Sequence, residues 1–174
     1  MDRRPNRRGT PATRPTGVQT RIRQMLVLER LSTRLPRVAA QLTRRHDDRP
    51  TLRLDDEHDL QDLAHAMLAL EHDDIRVLSW APDYAEGRER RDFWLKLESV
   101  VFEARWAWPG LDAEALGAQL TADRLVHRPR TGCTALACLI YDPDGLCAAP
   151  RAIEQALSRD VEGVTVRVFI APRP

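Results

Sequence analysis

The chain has 174 residues, 43% of them hydrophobic and 30% charged, with a formal net charge of +1. This length suits one globular domain with a tail, and the composition excludes a wholly disordered chain and a membrane bundle. The net charge conceals a segregation, because residues 1–53 hold 14 Arg against Asp2, Glu29, Asp47 and Asp48, a net of +10, and the remainder carries −9.

In chain order, residues 1–18 contain three Pro, two Gly and five Arg with almost nothing to bury, which predicts a disordered basic arm. The arm lacks the apolar core of a secretory signal and no apolar run reaches the ~18 residues of a membrane span, so a cytoplasmic protein without a membrane partner is expected. Ile22, Met25, Leu26, Leu28, Leu31 and Leu35 recur at helical spacing, Pro36 interrupts, and Val38, Ala39 and Leu42 resume. Two short helices or one kinked helix are expected here, forming an N-terminal helical extension over 19–50 through which a homodimer or a protein partner can bind.

From residue 51 to 174 the pattern is that of one α/β domain. Asp55 or Asp56 can cap a helix whose buried stripe is Leu60, Leu63, Ala64, Met67, Leu68 and Leu70. Strand-length apolar runs follow at Ile75 to Trp80, Phe93 to Leu97 and Val100 to Trp106, then a helix from Asp112 to about Val126. Thr134 to Tyr141 reads as a strand covered on both faces, Asp142-Pro143-Asp144-Gly145 as a turn, and Pro150 to Leu157 and Val164 to Ile170 as a last helix and strand. Cys133, Cys138 and Cys147 fit neither a zinc spacing nor a disulfide framework and are expected to stay reduced.

The chemistry concentrates on the hairpin from Arg91 to Ala107. A turn centred on Leu97-Glu98 pairs residues whose numbers sum to 195, which sets Asp92 opposite Glu103. Opposed residues share a face at about 5 Å between Cβ atoms, and two carboxylates facing each other repel. Such a pair points to a divalent cation, Mg²⁺ or Mn²⁺, held by Asp92 and Glu103. Period-two alternation brings Arg105 to the same face. Gln119 and Asp123, at i and i+4, either face this site from the second helix or share a hydrogen bond on its surface.

An acid, about ten residues, then acid-x-base across a hairpin resembles the PD-(D/E)xK nucleases, and in particular the restriction-endonuclease-like nuclease domains of bacterial defence systems. The resemblance runs from about Glu57 to Pro172. It includes Glu57-His58-Asp59-Leu60-Gln61-Asp62-Leu63, Trp80-Ala81-Pro82-Asp83-Tyr84, Gly87, Arg90-Arg91-Asp92-Phe93, Val101-Phe102-Glu103, Gly110-Leu111, Gln119-Leu120 with Asp123, and Tyr141 to Gly145.

The resemblance implies an α-β-β-β-α-β core with a mixed central sheet flanked by helices, preceded by the helical extension. It also implies Asp92 and Glu103 as metal ligands, with Glu57 as an accessory acid, and nucleic acid as the partner, DNA ahead of RNA. The family's last triad position is lysine; here it is Arg105, whose guanidinium stays protonated and can orient or stabilise an anion but not transfer a proton. Two functions remain open. One is metal-dependent phosphodiester hydrolysis, with Arg105 on the scissile phosphate. The other is a catalytically inactive nuclease-fold module that binds nucleic acid or a protein.

Other polar and aromatic residues carry plainer expectations. His58, His65 and His72 recur every seven residues; successive ones lie two helical turns, about 10.5 Å, apart, too far to share one ion, and all three read as surface positions. Trp80, Trp94, Trp106 and Trp108 read as core and sheet cover, with Trp94 a candidate base-stacking exception. Because Lys96 is the only lysine among 27 basic residues, the arginine excess reflects genomic base composition and does not argue for nucleic acid.

Overall fold

The computed structural model describes residues 17–44, 46–49, 53–81 and 89–172. The expected arm up to residue 16 and the Pro82, Asp83, Tyr84 and Gly87 positions lie outside the described residues. The elements are α1 (Gly17–Thr43), α2 (Glu57–Leu68), β1 (Ile75–Trp80), β2 (Arg90–Leu95), β3 (Val100–Trp106), α3 (Ala113–Thr131), β4 (Ala135–Tyr141), α4 (Pro150–Leu157), β5 (Asp160–Val161) and β6 (Val164–Ala171). From α2 onward this is the expected α-β-β-β-α-β order, continued by α4 and β6. The two-residue β5 escaped the sequence, being too short to show alternation.

The six strands form one mixed sheet in the order β1-β2-β3-β4-β6-β5. β1, β2 and β3 are antiparallel neighbours, β3-β4 and β4-β6 are parallel, and β5 returns antiparallel to β6. β4 is buried at every position, as a strand covered on both faces must be. One face carries Phe93, Phe102, Ala137, Leu139 and Phe169 against α1 and α2; the other carries Val101, Leu136, Ile140, Val168 and Ile170 against α3 and α4.

Local chemistry sets the helix ends. Asp56 caps α2 by accepting from the Asp59 N–H at 2.9 Å, and Asp59 in turn accepts from the Asp55 N–H at 2.9 Å. Asp112 caps α3, accepting from the Ala115 N–H at 2.8 Å, and Gly132 closes it at φ 67. α2 stops at Leu68, so Leu70 is 79% exposed and does not extend the buried stripe. α3 runs five residues past the expected Val126, through Pro129 to Thr131.

α1 is one helix, with Pro36 inside it, and it starts at Gly17, two residues within the stretch read as arm. Met25, Leu28, Leu35 and Ala39 join the core that α2 and the sheet share. Leu35→Ala, removing a side chain only 2% exposed, is therefore expected to cost about 2–5 kcal/mol of global stability. Urea unfolding followed at a sheet tryptophan and by helical circular dichroism should show one shifted transition. An unshifted tryptophan transition would mean that α1 folds apart from the sheet.

Candidate functional site

The β2–β3 ladder pairs Phe93 with Phe102, Trp94 with Val101 and Leu95 with Val100, the register in which numbers sum to 195. Alternation then directs Arg90, Asp92, Glu103 and Arg105 to the α3 face, where Gln119, Asp123 and His127, one helical turn apart, meet them. Asp92, Glu103 and Asp123 are fully buried.

Two guanidiniums bind these three acids. Arg105 Nη2 donates to Glu103 Oε2 at 2.5 Å and to Asp123 Oδ2, while Arg105 Nη1 donates to Gln119 Oε1 at 2.7 Å. Arg90 Nη2 donates to Asp92 Oδ1 at 3.1 Å and lies 3.7 Å from Glu103 Oε2; its Nη1 lies 3.7 Å from Asp123 Oδ1. Trp80 Nε1 donates to Asp92 Oδ2 at 2.6 Å, and His127 Nε2 lies 2.9 Å from the same oxygen.

The electrostatics follow from burial and these partners. Burial favours the neutral acid at Asp92, but the His127 hydrogen bond and the Arg90 charge outweigh it and hold the carboxyl below its usual range. At Glu103, burial and the neighbouring Asp123 charge push the carboxyl up to about 7 in spite of Arg105. Burial works against His127's charge, yet its hydrogen bond to Asp92 and the Glu103 charge raise it.

Glu103 Oε1 is buried and has no hydrogen-bond partner among the described residues; His127 Nε2, at 3.8 Å, is its nearest ion-pair contact. Asp92, Glu103 and His127 each offer one donor atom within 4.8 Å of the others, an arrangement able to hold one metal ion. Glu57 stands apart from this donor set. Its Oε2 accepts from the Trp106 N–H at 3.1 Å and its Oε1 from Gln61 Nε2 at 3.2 Å, so it fastens the start of α2 to the end of β3. Arg90 Nε lies 3.9 Å from the same Oε1.

A cleft of about 660 Å³ opens at this end of the sheet, lined by Asp56, Glu57, Arg90, Arg105, Trp108 and Gln119 among others. Arg105 stands on the face of the acid pair and binds Glu103 directly. Arg90 and Arg105 line the cleft, whereas Asp92, Glu103 and Asp123 do not and are fully buried.

The sequence reading missed Arg90, Trp80 and His127. Arg90 has the same parity as Asp92, and His127 continues the four-residue spacing of Gln119 and Asp123. Both signals were present but were not extended.

Other expectations change with the packing. His72 is 8% exposed, with Nδ1 3.2 Å from Glu98 Oε1, because α2 ends before it and the chain turns inward. His65 stacks on Phe93 at 5.0 Å between ring centroids, leaving only His58 of the three exposed. Trp94 packs partly buried against the α3-side core and does not line the cleft, whereas Trp106 meets Tyr141 edge-on at 4.9 Å. Cys133, Cys138 and Cys147 are buried free thiols whose burial raises them all. Asp142 secures the turn after β4 by accepting from the Leu146 and Cys147 N–H groups at 2.8 and 2.9 Å. No described helix is long and apolar enough to cross a membrane.

Residues 26–173 match the model of the DpnII-MboI family, described as REase_DpnII-MboI. No curated protein and no solved structure matches.

Proposed function

The chain belongs to the DpnII-MboI restriction endonuclease family, and from that premise we propose that its cleft binds DNA and hydrolyses a phosphodiester bond with a divalent cation held by Asp92 and Glu103. The unpartnered Glu103 Oε1, buried beside donors from Asp92 and His127, carries this reading. A buried carboxylate oxygen without a donor is costly, and hard oxygen ligands suit Mg²⁺ or Mn²⁺. Such an ion, when bound, polarises a phosphoryl oxygen and lowers the pKa of a water ligand.

The chain's own groups then divide the remaining work. Arg90 and Arg105 line the cleft and bring two cationic charges to a phosphate bound there. Gln119 and Asp123 hold Arg105 in place, and Trp80 and His127 hold Asp92. Arg105 remains protonated, so it orients the phosphate and stabilises charge developing on it without accepting a proton. A role in restriction-type bacterial defence follows from such cleavage.

One observation favours a second reading. Arg105 binds Glu103 Oε2 at 2.5 Å and Arg90 binds Asp92 Oδ1 at 3.1 Å, so both arginines compete with a cation for its ligands. A module in which they win would bind DNA without cutting it.

Titration calorimetry with Mg²⁺ and with Mn²⁺ separates the two. Wild-type protein is expected to give saturable heats, and Asp92→Asn an affinity lower by about tenfold or more. Equal, negligible heats for both proteins would remove the metal from the site.

A further inference from the structure

We propose that the outer face of α1 is a docking track for the phosphate backbone of duplex DNA, formed by Arg23, Arg34, Arg37 and Arg44 with Arg30. This deepens the reading of the cleft as a DNA site and rests on it for the choice of polyanion.

Placement, not the number of arginines, carries the argument. The five positions are separated by seven, four, three and seven residues, which keeps them within a narrow arc of the helix surface. They span about 31 Å at ~1.5 Å per residue, with Arg44 just beyond the last turn. Met25, Leu28, Ser32, Leu35 and Ala39 occupy the opposite side and are buried, so the arginines face directly outward, and all five are exposed.

Like charges at i+3 and i+4, as at Arg30, Arg34 and Arg37, disfavour a helix, and ordinary solvated helix faces intersperse acids to offset them. Here Glu71 pairs with Arg30 at 3.1 Å, and no acid pairs with Arg23, Arg34, Arg37 or Arg44 among the described residues. These four guanidiniums are therefore left open to an external polyanion, with Glu29 the acid that lines the adjoining groove.

The track also lies where a cleft-bound duplex can reach it. Beside it runs a groove of about 490 Å³ lined by Arg30, Arg34, Arg37 and Pro172, among others. Pro172 follows Ala171, which pairs with Tyr141, which pairs with Trp106 at the mouth of the cleft. Groove and cleft therefore open at the same end of the sheet, beside strands two spacings, or about 10 Å, apart. A second copy of the chain, whose body is acidic, is the rival occupant. Its α1 is as basic as this one, so it offers no symmetric match.

The test uses full-length protein carrying Arg23→Gln, Arg34→Gln, Arg37→Gln and Arg44→Gln together. Binding to a short fluorescent DNA duplex is followed by anisotropy at several salt concentrations, with EDTA present to prevent cleavage. The slope of log affinity against log salt is expected to become shallower by about 3 to 4, near 0.9 for each phosphate that is no longer neutralised. The corresponding four Arg→Lys changes, which keep charge and fold, are expected to leave the slope as in wild type.

An unchanged slope in the Gln protein overturns the proposal, as does a wild-type protein with no affinity for the duplex. So does a Gln protein whose only change is abolished self-association in sedimentation, which would assign the face to a second copy. Asp92→Asn run in parallel keeps the two readings apart. Failure of the cleft chemistry abolishes cleavage and metal heats and leaves the slope intact, whereas failure of the track leaves cleavage intact.

Discussion

Glu103→Gln is expected to reduce metal-dependent DNA cleavage by at least about a hundredfold while leaving the protein folded. Glutamine matches glutamate in shape but offers a neutral amide, so the oxygen that lacks a donor in the wild type loses the charge that would attract a cation. Breaking a buried ion pair commonly costs about 3–5 kcal/mol, because the partner's charge is left without compensation. The cost here should be smaller. Burial and the Asp123 charge already bring Glu103 up to about 7, so its neutral and ionised forms are comparably populated at neutral pH, and Arg105 keeps Asp123 and Gln119 as acceptors. Cleavage by purified protein on single- and double-stranded DNA, read beside thermal unfolding, checks both halves of the expectation. A folded Glu103→Gln protein that cuts at the wild-type rate would exclude Glu103 as a ligand.

Arg105→Lys is expected to act in the opposite direction, raising Mg²⁺-dependent cleavage by about tenfold or more. In the wild type one planar fork spans Glu103, Asp123 and Gln119 at once. An ammonium is compact and cannot reproduce that three-way grip, so Glu103 Oε2 is released toward a cation. Lysine also has a pKa that a buried site can lower far enough for proton transfer, which guanidinium lacks. The assay compares wild type, Arg105→Lys and the double variant with Glu103→Gln, the last being a control for contaminating nuclease. Wild-type cleavage that vanishes in Glu103→Gln would establish an enzyme that uses arginine. Activity in Arg105→Lys alone would mark an arginine-silenced site, and silence in all three would leave the binding module standing.

The two predictions depend on different parts of the fold. Glu103→Gln tests the hairpin register, which is local. Arg105→Lys tests how α3 closes over that hairpin, which is not.

The approach of Asp92 to Glu103 was legible in the sequence because the turn between β2 and β3 is short and side chains alternate strictly along a strand. Turn position and parity leave one register in which Phe93, Leu95, Val100 and Phe102 all reach the same core, and that register brings the two acids to the opposite face. The α2 cap was legible to within one residue for a similar reason: of Asp55 and Asp56, it is Asp56 that accepts from an N–H three residues on. The ends of α2 and α3 were less so, since Leu70 and Pro129 depend on whether neighbouring elements offer a surface or a turn.

Only the tertiary structure decided what surrounds the acid pair. Gln119, Asp123 and His127 are polar, and a helical pattern assigns polar positions to solvent. They point inward because α3 lies across β2 and β3, where buried charges from two strands supply partners that water would otherwise supply. His127 and Asp92 stand 35 residues apart, and Glu57 reaches the Trp106 N–H across 49. No periodicity encodes such distances. The same holds for Arg105, which shares a strand face with Glu103 in any reading, but whose guanidinium binds the acids instead of standing open beside them once Asp123 and Gln119 descend from the helix. Local geometry determined which residues face one another; packing of the helix over the sheet determined which charges they meet.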